Sequence, residues 1–113
     1  MIWIQEQVEV CKKLGLPLIE TPDDFKVGIS LNIFDNVYPI NGLRHPIVGN
    51  TSGWYIWAGE YSLDPDFFIP IHASHLIEKC PLVTKYLGLP PGWRFQIAPN
   101  YEDIWHDNSL LDI

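Results

Sequence analysis

The segment Gly53-Trp-Tyr-Ile-Trp-Ala-Gly59 constrains the fold of this chain more than any other. Read as a strand, it sends Trp54, Ile56 and Ala58 to one face and Tyr55 and Trp57 to the other. Both faces are apolar or aromatic, so the strand needs cover on both sides and belongs near the centre of a sheet. At 113 residues the chain is read as a single domain over 1–113, burying about two-thirds of its unfolded surface. It has room for one core, and this strand runs through it.

Further strands follow from alternation. Over residues 25–34, Val27, Ile29, Leu31 and Ile33 alternate with Lys26, Gly28, Ser30 and Asn32, and Asp35-Asn36 ends the run. Residues 93–98 and 101–106 read as a hairpin turning at Pro99-Asn100. Helical spacing appears over 2–14, where Trp3, Gln7, Val10, Cys11 and Leu14 share a face and Gly15 and Pro17 stop the element. It appears again over 72–80, with Leu76 and Ile77 apolar, followed by a helical segment over 81–87 that Pro81 opens and Gly88 closes. Residues 16–24 read as a connector. Residues 36–53, broken by Pro39, Gly42, Pro46, Gly49 and Gly53, read as a long loop. The expected architecture is α+β, a small, mostly antiparallel sheet with helices packed on one face.

Charge narrows the function classes. Seven basic residues face 14 acidic ones, a net charge of −7, which argues against binding nucleic-acid phosphates or anionic membranes. A basic protein partner fits this balance better. No stretch approaches the length of apolar sequence that spans a bilayer. The opening Met1-Ile-Trp-Ile-Gln-Glu6 lacks the basic start of a signal peptide, and Cys11 and Cys80 form no recognised motif. The expectation is a cytoplasmic protein with reduced, structural thiols.

Motifs for chemistry are sparse. His72 and His75, at i and i+3, could share a metal on a helix, with Glu78 a turn further on and His106 and Asp107 brought in by the fold. The spacing lacks the built-in base of a zinc-protease helix, and a His that caps the helix start is the simpler reading. No nucleophile motif is present, and the segment Gly49 to Gly53 lacks the Lys of a phosphate-binding loop. A non-enzyme without cofactor or metal is the expectation. A small metal-dependent enzyme using His72, His75 and His106 is its rival, and a self-associating module forming a homodimer is a third possibility.

The acidic residues are unevenly placed. Residues 53–77 carry Glu60, Asp64 and Asp66, and residues 99–113 carry Glu102, Asp103, Asp107 and Asp112, with no Lys or Arg in either stretch. Aromatics accompany them: Tyr55, Trp57, Tyr61, Tyr101 and Trp105. Trp and Tyr inside an acidic rim suit a docking site for a basic protein. The candidate contact residues are Glu60, Asp64, Asp66, Glu102 and Asp103, with Trp57, Tyr61 and Tyr101 as anchors. Trp54 and Trp93 are expected in the core, while Trp57 and Trp105 fit either core or surface. Arg94 is expected to pair with a carboxylate at the core's edge.

Several of these segments also carry a resemblance. Asn50-Thr-Ser-Gly-Trp54 running on to Glu60, Asp64-Pro-Asp-Phe-Phe68, His72-Ala-Ser-His-Leu76, Gly88-Leu-Pro-Pro-Gly-Trp-Arg-Phe95 and Tyr101-Glu-Asp-Ile-Trp105 resemble the immunity protein 33-like group of small bacterial proteins. The resemblance covers roughly residues 25–113. It implies a small cytoplasmic protein of a polymorphic-toxin system that binds and blocks a toxin domain. It carries over no catalytic residue.

Overall fold

In the computed structural model, which describes residues 2–112, the aromatic segment is β3 (Thr51–Ala58), an interior strand of a six-stranded sheet. The other strands are β1 (Lys26–Ile29), β2 (Ile40–Arg44), β4 (Ile69–His72), β5 (Trp93–Ala98) and β6 (Tyr101–His106), in the order β4-β1-β3-β2-β5-β6. Only the β1–β3 pair is parallel. Two α-helices, α1 (Ile2–Leu14) and α2 (Ala73–Lys79), and 3₁₀ turns at Leu31–Phe34, Pro81–Tyr86 and Asn108–Leu111 complete an α+β fold. The side chains of Ile2 and Trp3 lie outside the described residues, and with them the expected place of Trp3 on the apolar face of α1.

Register divides the side chains into two layers. Trp54, Ile56 and Ala58 of β3 stand beside Arg44, Gly42 and Ile40 of β2, and these in turn beside Phe95 and Ile97 of β5. With Val27 and Ile29 of β1 they form the buried side. The helices lie on that side: Gln7 Nε2 of α1 donates to Thr84 O at 3.0 Å, and Tyr86 stacks on Phe95 with ring centroids 4.6 Å apart. Gly42 makes this packing possible, because a Cβ there would sit 2.1 Å from the Phe95 ring. Cys11 and Cys80 are buried and unpaired, and burial raises the pKa of each thiol.

Two expectations need correction. The strand expected over 25–34 ends at Ile29. Ser30 N still donates to Ile56 O, but Ser30 Oγ then accepts from Ala58 N and Asn32 Nδ2 donates to Ala58 O. Side chains thus serve the end of β3, and the backbone turns into a 3₁₀ helix that leaves Leu31 exposed. The expected 36–53 loop contains β2, a central strand. Asn41, Gly42 and Arg44 erase its apolar alternation, yet all three are buried. The acidic, aromatic stretch after Glu60 ends in β4, whose Pro70 is tolerated because the strand is at the edge.

Arg44 is fully buried, and its charge is met by backbone carbonyls. Nε donates to Ser52 O at 2.9 Å. Nη1 donates to Ile19 O at 2.7 Å and Leu89 O at 2.8 Å, with Leu87 O at 3.4 Å, and Nη2 donates to Glu20 O at 3.1 Å. Among the described residues no carboxylate pairs with it. Burial pushes its pKa down to about 10, which leaves the guanidinium charged at neutral pH.

Arg44→Met strips the donors from this set of carbonyls. It is expected to cost about 3–5 kcal/mol, read by urea unfolding at neutral pH. Arg44→Lys should restore only part of that loss, because a single ammonium cannot span the fork. An unfolding free energy within about 1 kcal/mol of the parent for Arg44→Met would show that the carbonyl set does not depend on the guanidinium.

Candidate functional site

The second face of the sheet carries the aromatic and acidic residues. Neighbouring strands align Trp57, Asn41, Gln96 and Asp103 in one row across it, and Tyr55, Leu43, Arg94 and Trp105 in the next. Gln96 Nε2 donates to Asn41 Oδ1 at 2.8 Å, so the amides of the first row hold one another. In the second row Arg94 Nη1 lies 3.1 Å from Asp107 Oδ2, the carboxylate partner expected for it, and its guanidinium lies 5.3 Å from the Trp105 ring centroid.

Part of this face is covered by residues 59–68. Gly59, at φ +72°, reverses the chain after β3, and its N–H donates to Pro39 O. Returning, the segment lays Tyr61 edge-on to Trp57 at 5.3 Å and Phe68 edge-on to Tyr55 at 5.2 Å. Phe67 packs against Phe68 at 4.9 Å, and His45 closes over Tyr55 at 5.6 Å. Trp57 is therefore only 5% exposed, the floor beneath this aromatic layer.

The tip of the segment is braced by its own hydrogen bonds. Asp64 N donates to Ser62 Oγ, Asp66 N to Asp64 Oδ1, and Phe67 N to Asp64 O. The brace leaves Leu63 92% exposed and Tyr61 56% exposed, with Glu60, Asp64 and Asp66 in solvent around them. Leu63 escapes a reading by periodicity because it is a lone apolar residue in a turn. Its signal is its flanks, Ser62 and Asp64, which leave it no apolar neighbour within the turn.

Both acidic stretches reach the same end of the sheet. The register Ala58↔Ile40↔Ile97↔Glu102 sets the end of β3 level with the start of β6, three strands or about 14 Å away. Tyr101, 49% exposed, and Asp103 stand on the open side there. Glu102 takes the opposite side, where its carboxylate accepts from Tyr86 Oη and lies 3.4 Å from Lys85 Nζ. The Tyr86 hydrogen bond, aided by Lys85, lowers the Glu102 pKa, while burial and then Glu102 itself raise that of Tyr86.

The histidines do not converge. His72 and His75 have ring centroids 5.8 Å apart, but His106 lies on the opposite edge of the sheet against Trp93. Among the described residues, no three His, Cys, Asp or Glu side chains gather as a metal site requires. His72 occupies the N-cap of α2 without a side-chain capping bond. Instead Ala73 N donates to Phe25 O and Ser74 N to Asp23 O. No helix among the described residues is long and apolar enough to cross a membrane.

A family model described as an Imm33-like domain matches residues 6–107, taking in most of α1 as well as the sheet. No curated protein and no solved structure matches the chain.

The Tyr86–Glu102 pair gives stability a pH signature at both ends. Glu102 has a lowered folded pKa, so its contribution is present above about 4.3, the unfolded carboxylate value, and is lost as pH falls through the folded value. Tyr86 has a raised folded pKa, so its contribution is present below about 10 and is lost as pH rises above it. Thermal unfolding of Tyr86→Phe should show a shallower loss at both limits than the parent. Parallel curves for the two proteins would refute the coupling.

Proposed function

The chain belongs to the Imm33-like domain family, an immunity-type family, and on that premise we propose that it neutralises a basic toxin domain by covering it. The observation that carries this reading is the braced segment 59–68, which holds an almost fully exposed Leu63 and a half-exposed Tyr61 in a stretch where Glu60, Asp64 and Asp66 are also exposed. A tip already ordered by its own hydrogen bonds loses little conformational freedom on docking. Leu63 and Tyr61 supply the apolar centre, and Glu60, Asp64 and Asp66 supply the charged rim. Asp103 and Tyr101, at the same end of the open face, extend the contact, so a partner touching both acidic stretches spans the sheet. The net charge of −7 speeds encounter with a basic surface. Occlusion needs complementary shape and charge and no chemical step, in keeping with a protein that acts as a binder in the cytoplasm.

The full chain, immobilised, is challenged with lysate of its source cell at low salt and at about 1 M salt, where the Debye length is about 3 Å. The expected result is one stoichiometric basic partner, retained at low salt and released at high salt. Leu63→Asp should weaken retention about tenfold or more while shifting unfolding by less than about 0.5 kcal/mol. Retention unchanged in Leu63→Asp and in the double variant Asp64→Asn/Asp66→Asn would remove this surface. No stoichiometric partner at either salt would remove the reading itself.

A further inference from the structure

The two edges of the sheet are unequal. The β4 edge is four residues long and carries Pro70, which has no N–H to offer a new strand. The β6 edge is six residues long, Tyr101–His106, with neither proline nor glycine. Its phase is set by one bond, Asp107 N to Gly92 O at 2.7 Å. Alternation from there turns the amides of Trp105, Asp103 and Tyr101 toward β5 and those of His106, Ile104 and Glu102 outward. Three backbone donors in register thus face away from the sheet.

Beside that edge lies a groove of about 450 Å³ between β6 and α1. Val10 and Leu14 of α1 and Ile104 of β6 give it apolar walls. Glu6, Glu9 and Glu102 bring three carboxylates to it, against the ammonium groups of Lys13 and Lys85. Lys85 already pairs with Glu102, so Glu6 and Glu9 face Lys13, while Asp103 turns its side chain to the open face. Free main-chain donors next to an acidic, partly apolar groove match an extended chain that alternates basic and apolar side chains.

We propose that the β6 edge is a strand-addition site for an extended basic segment of the protein partner. The added strand hydrogen-bonds the amides of Glu102, Ile104 and His106 and lays its cationic side chains toward Glu6 and Glu9. This deepens the immunity reading by naming how part of the partner is held. It concerns a different part of the surface from the tip of residues 59–68, and its test needs no natural partner.

The probe is a hexapeptide alternating Lys and Val, added to the full-length, isotope-labelled chain, with amide hydrogen exchange read residue by residue. A hexapeptide alternating Glu and Val is the control. Strand addition predicts that exchange at Glu102, Ile104 and His106 slows about tenfold or more with the Lys peptide and not with the Glu peptide. Glu6→Gln/Glu9→Gln, which changes exposed charges on α1, should weaken the Lys peptide's binding about tenfold at low salt. Unchanged exchange at these amides, protection confined to residues 59–68, or equal protection by the Glu peptide would each overturn the proposal. So would protection that rises with protein concentration without peptide, since the edge would then be occupied by a second copy. Peptide protection at β6 with no partner in the lysate would leave the edge proposal standing and the toxin reading refuted.

Discussion

The buried guanidinium of Arg44 is the contact on which the two layers of this protein depend. A charge taken out of water is costly unless every donor is met, and here backbone carbonyls from three separate segments meet it. Those segments are the connector after α1, the start of β3, and the stretch leading to β5. The Leu87 carbonyl alone is approached by Thr21 Oγ1 at 2.7 Å, Trp54 Nε1 at 3.2 Å and Arg44 Nη1 at 3.4 Å. One side chain on a central strand thus pins the irregular chain that carries the helical layer. Gly53 helps by standing close to β2. At φ +89° a Cβ there would fall 1.9 Å from His45 O, so only glycine lets the strands meet at this point.

What the sequence disclosed follows the same division. Elements whose inward positions are apolar were legible: β3 from its two apolar faces, the hairpin from Pro99-Asn100, the end of α1 from Gly15 and Pro17. β2 was not, because Gly42 and Arg44 are its inward residues beside Ile40, and neither reads as core until Phe95 and the carbonyls around Arg44 are in place. The alternation over residues 25–34 misled for the opposite reason. Leu31 and Ile33 keep the period, but Ser30 and Asn32 use their side chains to close off β3. Periodicity records which residues could share a face, and polar side chains that bond to backbone can end that face early.

The candidate contact surface was legible as composition and not as geometry. Two acidic stretches without Lys or Arg are visible in the sequence. The sheet sets the start of the second, at Tyr101 to Asp103, level with the end of β3, from which the first departs. Which side each residue of Tyr-Glu-Asp-Ile-Trp-His takes could not be read, since apolar and charged residues occur at both parities. Register with β5 decides it, sending Glu102 to Tyr86 and Lys85 and Asp103 to the open face. Trp57 fitted either fate, and the returning segment that buries it also supplies Tyr61 and Leu63 as the exposed groups.

This arrangement gives the aromatics of the open face two roles. Trp57, Tyr55 and Phe68 interlock edge-to-face and form a platform with little freedom to rearrange. Tyr61 joins that platform against Trp57, Phe67 and Phe68 while keeping more than half of its surface in water. Leu63, two residues on, makes no use of the platform and is held out by the hydrogen-bonded turn of residues 62–67. The costs of ordering are therefore met when the protein folds, by burial of Trp57 beneath the rings of Tyr61 and Phe68. The groups the segment leaves exposed are Tyr61 and Leu63, with the exposed side chains of Glu60, Asp64 and Asp66 next to them in the chain. The occlusion we propose would draw on that separation, because rigidity under a contact slows release and charge around it speeds arrival.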